Sequence, residues 1–177
     1  MRRTLFLSVY CLSIVMAQPA RAQLVLSALE KTISTQFEVP HLAWQNLKES
    51  LSASDSSRYV LFDTRPAEEY HVSHLPHAIQ VDPQLPAEQF FALYGDSLKN
   101  KEVVFYCSVG YRSSQFLQRV HKKLAEKGVV AAFNLQGGIF RWYNEGNLVV
   151  DAHGPTDKVH PYDKIWGALV KERKKEE

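Results

Sequence analysis

Short apolar runs alternate with amphipathic segments along the middle of the chain. Three runs have the length of buried strands, and they lie at 59–62, 103–106 and 129–135. The segment 113–127 carries apolar residues at helical spacing and ends before Gly128, a residue that favours helix termination. Strands that alternate with helices in this way predict an α/β fold with a mostly parallel sheet.

Two extensions flank this central region. Apolar residues recur at helical spacing over 24–37, so we predict an N-terminal extension at 23–39 that forms a helix. A C-terminal extension at 149–177 is predicted to carry a short helix near 165–170 and a charged, solvated tail. Simple packing against the domain is the favoured role for both, and partner surfaces are the alternative.

The first residues have the three parts of a secretory signal peptide. Arg2 and Arg3 precede an apolar run at 5–17, and the small-residue site Ala20-Arg21-Ala22 follows it. We therefore predict that 1–22 is removed and that the protein is exported, to the periplasm of a bacterium or as a secreted protein. An uncleaved anchor is the alternative, but the run is shorter than the ~20 residues that span a bilayer. No stable membrane span is expected after removal.

Loss of this segment changes the charge and the cysteine content. It holds three of the 21 basic residues and none of the 19 acidic ones, so the remaining chain is close to −1 and offers no case for a nucleic-acid partner. Cys11 leaves with it, and Cys107 remains as the lone cysteine. An exported protein with one thiol forms no internal disulfide, so Cys107 is buried and inert, pairs with another molecule, or reacts.

The neighbourhood of Cys107 favours reactivity. It follows a predicted strand and opens the loop Cys107-Ser108-Val109-Gly110-Tyr111-Arg112-Ser113, after which a helix begins. Loop N–H groups, the positive end of the helix and Arg112 would together favour a thiolate, which is the nucleophilic form of cysteine. The alternative is a buried structural cysteine, which is common in proteins.

Several segments, in order, resemble motifs of the rhodanese family. Beside the cysteine loop, these are Asp63-Thr64-Arg65 for D-x-R, Glu69-Tyr70 for E-[FY], His74 to Ile79 for G-H-I-P-G-A-I, and Leu135 to Gly146 for L-x-G-G-x-x-x-W-x-x-x-G. The chain is similar to the rhodanese homology domain over 40–148. That resemblance implies a central, mostly parallel five-stranded sheet flanked by helices on both faces. Ser73 and His77 depart from it, because they stand where the family has glycines.

The resemblance also implies roles for the site residues. Cys107 would take a sulfane sulfur from an anionic donor (thiosulfate, polysulfide or a persulfide) and pass it to a thiol or protein acceptor, without a cofactor or a metal. Arg112 would bind the negative charge of the donor, and His74 would be structural. An ion pair between Arg65 and Glu69 is expected. The backbone N–H groups that would bind the persulfide are those of Ser108, Val109, Gly110, Tyr111, Arg112 and Ser113. The residues that would brace the loop are Asp63, Arg65 and Glu69.

Other functions compete with sulfur transfer as explanations of this sequence. Four residues separate Cys107 from Arg112, whereas related phosphatases have five, so the shorter loop favours sulfur chemistry. A persulfide carrier without turnover, a protein-binding module and, more remotely, a rhodanese-like arsenate reductase stay open. The spacing of His71, His74 and His77 invites a metal site, but Pro76 breaks the helix that would align them. Nothing resembles a cysteine protease signature.

Overall fold

A parallel five-stranded sheet forms the centre of the molecule. The computed structural model describes residues 21–52 and 56–173, so most of the predicted signal segment and the last residues of the charged tail, 174–177, lie outside it. The sheet has the order β1-β5-β4-β2-β3, and every neighbouring pair of strands is parallel. The strands are β1 at His41–Leu42, β2 at Tyr59–Asp63, β3 at Ile79–Gln80, β4 at Glu102–Tyr106 and β5 at Ala131–Leu135. The predicted α/β fold is therefore confirmed.

Seven helices accompany the sheet in the described part of the chain. They are α1 at 21–36, α2 at Trp44–Ser52, α3 at Ala67–Val72, α4 at Ala87–Tyr94, α5 at Tyr111–Glu126, α6 at Gly138–Asn144 and α7 at Lys164–Gly167. Short 3-10 helices lie at Ser56–Arg58 and Gly95–Leu98. None of these described helices combines the length and the apolarity needed to cross a bilayer.

The C-terminal extension contains a hairpin that the sequence did not reveal. Strand β6 at Val149–Asp151 pairs antiparallel with β7 at Gly154–Thr156. Backbone hydrogen bonds between His74 and Val150, at 2.8 and 2.9 Å, attach this hairpin to the loop that follows α3. This hairpin of the C-terminal extension is thus packed against the domain.

An aromatic cluster holds the strands that lead to the site. The side chains of Phe62 on β2, Phe105 on β4, Phe90 on α4 and Phe116 on α5 are fully buried. Phe62 stacks on Phe105 with ring centroids 5.3 Å apart, and Phe90 meets Phe116 edge-on at 5.3 Å. Because these contacts join two central strands to two helices, the carboxyl ends of β2 and β4 are held side by side.

The two positions that depart from family glycines behave differently. Ser73 has an extended backbone with φ −173°, which any residue adopts. His77 has φ 61°, in the left-handed region where glycine is favoured. A non-glycine residue there costs on the order of 1 kcal/mol, so the surrounding turn imposes this conformation on His77.

Candidate active site

Cys107 lies where β4 ends and the chain turns into α5. Its side chain is 1% exposed, and its Sγ accepts a hydrogen bond of 3.2 Å from the Gly110 N–H. Gly110 has φ 99°, and a Cβ there would lie 3.1 Å from Asn134 Nδ2. Glycine thus allows the loop to fold back over its own sulfur, as the sequence predicted.

The amino end of α5 supplies further polarity at the loop. This helix has 16 residues and begins at Tyr111, directly after Gly110. The first N–H groups of a helix have no acceptor within the helix, and the helix dipole places partial positive charge there. The Gly110 N–H and the first turn of α5 therefore place partial positive charge at the cysteine loop.

Arg112 is held by a carboxylate rather than left free. Its guanidinium donates two hydrogen bonds to Glu69, of 2.9 and 3.0 Å, and a third of 2.9 Å to Ser108 Oγ. Ser108 Oγ in turn donates to Glu69 at 2.8 Å. Burial alone would lower the pKa of Arg112, but the hydrogen bond to Glu69 and the interactions with Cys107 and Glu69 raise it. The guanidinium thus stays charged beside the cysteine.

The expected Arg65–Glu69 ion pair is wrong, because Arg65 pairs with Asp63. Arg65 and Asp63 are both fully buried and are joined by hydrogen bonds of 2.6 to 3.1 Å. Arg65 also donates to the Ser73 carbonyl at 2.6 Å. Burial opposes the charge on Arg65, yet Asp63 raises its pKa above the usual value. This pair fixes the turn between β2 and α3, and α3 carries Glu69.

The three histidines near α3 differ in their contacts and in their exposure to solvent. His74 stacks on Tyr70 with ring centroids 3.8 Å apart, and its Nδ1 lies 3.1 Å from the Tyr70 carbonyl oxygen. His71 and His77 are exposed. In the part of the chain that the structure describes, no group of three or more His, Cys, Asp or Glu side chains converges as metal ligands do.

Asn134 is a site residue that the sequence reasoning missed. It lies on β5, is 1% exposed, and accepts a hydrogen bond of 2.6 Å from Ser113 Oγ. Its Nδ2 lies 3.1 Å from His41 Nδ1 on β1. Asn134 thus ties the first turn of α5 to two strands. A single polar residue within the apolar run 131–135 was the signal that could have revealed it.

Gly138 belongs to the segment from Leu135 to Gly146 that resembles a family motif, and it lies directly against the cysteine loop. The N–H groups of Ile139 and Phe140 donate to the carbonyls of Cys107 and Ser108, at 2.9 and 3.0 Å. A Cβ on Gly138 would lie 2.2 Å from the Cys107 carbonyl oxygen. The start of α6 therefore rests directly on the backbone of the cysteine loop, and only glycine permits this approach.

A cavity of about 400 Å³ opens above the cysteine loop. Cys107, Ser108, Val109, Tyr111 and Arg112 form its floor. Its walls come from the two extensions, namely from Leu29, Thr32, Ile33 and Gln36 of α1 and from Tyr162 and Trp166 near the C-terminus. The site therefore places a buried thiol in the floor of a sizeable, partly open cavity.

Two aromatic contacts join the floor of the cavity to the two extensions. The Tyr111 ring meets Phe37 edge-on, with centroids 5.1 Å apart. The Arg112 guanidinium lies 5.2 Å from the centroid of the Tyr162 ring, which fits a cation–π contact. Both extensions thus contact the loop residues themselves, which sequence reasoning did not anticipate.

Comparison with known proteins assigns the family. The model of the rhodanese-like domain matches residues 45–145, more than half of the chain. A sulfurtransferase from Allochromatium vinosum is 32% identical over 108 residues, covering 60% of this chain and 94% of that protein. An adenylyltransferase and sulfurtransferase from Candida albicans is 30% identical over 95 residues, 51% of this chain. The chain spans 21% of that relative and 29% of a tRNA uridine(34) hydroxylase from Buchnera aphidicola.

Solved structures agree with the fold. A thiosulfate sulfurtransferase from Pseudomonas aeruginosa superposes with a TM-score of 0.54 at 19% identity, covering 81% of this chain and 26% of that chain. A Bacillus halodurans protein gives a TM-score of 0.55 at 18% identity, covering 81% of this chain and 97% of that chain. The resemblance seen in the sequence is confirmed, and the chain belongs to the rhodanese-like domain family.

Proposed function

We propose that this protein is a sulfurtransferase that carries a sulfane sulfur as a persulfide on Cys107. The observation that carries the proposal is the Gly110 N–H aimed at Cys107 Sγ, at 3.2 Å, before the amino end of α5. That arrangement stabilises negative charge on the attacking thiolate and on the persulfide that it becomes. The sulfurtransferase relative from Allochromatium vinosum supports the same chemistry.

The reaction has two balanced displacements. The Cys107 thiolate attacks the outer sulfur of a donor such as thiosulfate, which forms an S–S bond to Sγ and breaks the donor S–S bond. The bonding electron pair leaves with sulfite, and the cysteine becomes a persulfide anion. An acceptor anion such as cyanide then attacks the terminal sulfur, which forms thiocyanate and returns the thiolate. Each half is a nucleophilic substitution at sulfur and needs no external oxidant or reductant.

Arg112 serves in this proposal as a positioning residue as well as a charge. Its guanidinium group donates hydrogen bonds to both Glu69 and Ser108, so it fixes the loop that follows Cys107. Its side chain is 24% exposed, which leaves part of the guanidinium facing the cavity. The positive charge favours an anionic donor, while the paired carboxylate reduces how strongly a dianion is attracted.

The steady-state rate law tests the two-step scheme. Initial rates of thiocyanate formation are measured at several fixed concentrations of thiosulfate while cyanide is varied, with protein-free mixtures subtracted. Sulfite leaves the enzyme before the acceptor reacts. Plots of reciprocal rate against reciprocal cyanide concentration should therefore form parallel lines at the different thiosulfate concentrations. Intersecting lines would contradict the two-step scheme through a persulfide intermediate. An absence of turnover with thiosulfate, polysulfide and an organic persulfide would contradict the proposal that the protein is an enzyme.

Arg112→Lys should lower kcat/KM for thiosulfate about 10- to 100-fold while the protein remains folded. Lysine keeps the charge but cannot hold both Glu69 oxygens and Ser108 with one ammonium group, and small displacements at a reacting centre have effects of this size. Arg119→Lys is the matched control, because Arg119 is exposed on the same helix and donates to the Pro83 carbonyl. A rate for Arg112→Lys equal to that of the control would show that charge alone suffices.

A further inference from the structure

The walls of the cavity come from outside the part of the chain that matches the family model. That match covers 45–145, whereas α1 at 21–36 and the residues Tyr162 and Trp166 lie before and after it. Both additions are anchored to the domain. Arg141 of α6 donates to Glu30 of α1 at 2.6 Å, and Asn144 of α6 donates to the Leu169 carbonyl at 2.7 Å. The walls are therefore held in place by hydrogen bonds to the domain.

The surface that these walls present is mainly carbon. Leu29 and Ile33 of α1 face the cavity together with Trp166 of the C-terminal extension, and Val109 adds a further apolar group from the floor. The rings of Tyr111 and Tyr162 border the same space. Apolar surface favours a ligand that loses water from carbon when it binds.

The charge of the cavity does not suit a small dianion. Among the described residues that line it, Arg112 is the only basic one, and no Asp or Glu is present, so Cys107 is the only other group of the lining that would carry charge in the reaction. Glu69 already neutralises that guanidinium, and the Tyr162 ring lies beside it. A cavity of about 400 Å³ also lies in the ~300–1,000 Å³ range of small-molecule sites, well above what a small inorganic anion fills.

We infer that the cavity binds an organic sulfur donor: a monoanion with an apolar body and a terminal sulfane sulfur, such as an organic thiosulfonate or hydropersulfide. The inference rests on the proposed sulfur transfer at Cys107 and adds the class of donor. The apolar body lies between α1 and Trp166, and its terminal sulfur faces the Cys107 thiolate. With a thiosulfonate, the new S–S bond forms at Sγ, the donor S–S bond breaks, and the electron pair leaves with the sulfinate.

The ratio of kcat/KM for benzenethiosulfonate to that for thiosulfate, with cyanide as the acceptor, tests this inference. The unaltered protein should prefer benzenethiosulfonate. Trp166→Ala should lower the ratio at least about tenfold, since even one methylene in an apolar pocket changes selectivity about 10- to 200-fold. Leu29→Ser on the opposite wall should lower it in the same direction, so the result does not depend on one variant.

Each wall variant has a matched control on its own helix. Ile165 is 80% exposed beside Trp166, and Leu24 is 70% exposed on α1, and neither lines the cavity. Ile165→Ala and Leu24→Ser should keep the ratio of the unaltered protein. Thermal melting of all four variants shows whether a folding defect accounts for any change.

The possible results test the donor class separately from the proposed sulfur transfer. A preference for thiosulfate, or a ratio that stays within about twofold in both folded wall variants, would overturn the inference while leaving sulfur transfer intact. Failure of the unaltered protein to form thiocyanate from either donor would instead overturn the proposed function. A lowered ratio in both wall variants and in neither control is the expected result.

Discussion

Replacing Cys107 with alanine is expected to lower thiocyanate formation at least about 1,000-fold. The proposal gives the whole reaction to one sulfur atom, which attacks the donor and then carries the transferred sulfur. Loss of a nucleophile from such a site removes all but the residual effect of binding, so effects of this size or larger are common. Initial rates with thiosulfate and cyanide, at matched concentrations of the two proteins, measure the change.

A folding defect should not account for that loss. Cys107 is buried, and alanine fits its space without a clash, so Cys107→Ala should melt within a few degrees of the unaltered protein. Cys107→Ser serves as a second variant, because it keeps a polar atom near the Gly110 N–H but lacks the sulfur. If either folded variant retained more than about a tenth of the rate, Cys107 would not be the nucleophile.

Gly138→Ala should have the largest effect on stability, at about 3 kcal/mol or more. Gly138 has φ 54°, and an added methyl group would lie 2.2 Å from the Cys107 carbonyl oxygen and 2.8 Å from the Ser108 backbone. Backbone strain and overpacking against a fixed main chain both contribute. Relief of the clash requires α6 to move from the cysteine loop, so activity should fall too. Chemical denaturation and thiocyanate formation measure the two effects.

Gly146→Ala is the matched control for this prediction. Gly146 has φ 78°, which imposes the same kind of backbone strain, but a Cβ there meets nothing within 4 Å. We expect this variant to lose about 1 kcal/mol and to keep its activity. Equal losses in the two variants would mean that backbone strain, rather than contact with the cysteine loop, explains the requirement for Gly138.

The sequence predicted the fold well because its signals are local. Short apolar runs marked β2, β4 and β5, and helical spacing of apolar residues marked α5 within a few residues of its bounds. The cysteine loop could be found for the same reason, since strand, thiol, Gly110 and Arg112 follow one another along the chain. The two-residue strand β1 and the hairpin of β6 and β7 were missed, because their signals are too short.

The ion pairs of the site differ from what the family resemblance implied. Arg65 and Glu69 are four residues apart, which suits a pair on one helix, but α3 begins only at Ala67. Arg65 therefore lies in the turn before the helix, where its side chain reaches back to Asp63. Glu69 is left to meet Arg112, which is 43 residues away along the chain. Only the pairing of β2 with β4 brings those two segments together.

The cavity could not be predicted from the chain at all. Leu29 and Trp166 line the same cavity from opposite walls, and no local pattern connects residues so far apart along the chain. The sequence interpretation favoured simple packing of both extensions against the domain. They do pack against it, but they also line the cavity that Cys107 borders, which makes them part of the site.

Intact mass spectrometry of the persulfide tests the central claim most directly. The protein is exposed to polysulfide, freed of excess reagent and weighed, and then treated with cyanide and weighed again. We expect one added sulfur atom, mapped to Cys107 by peptide analysis, that cyanide removes as thiocyanate and that Cys107→Ala never gains. An unmodified thiol after exposure, or a sulfur that cyanide leaves in place, would contradict sulfur transfer through Cys107.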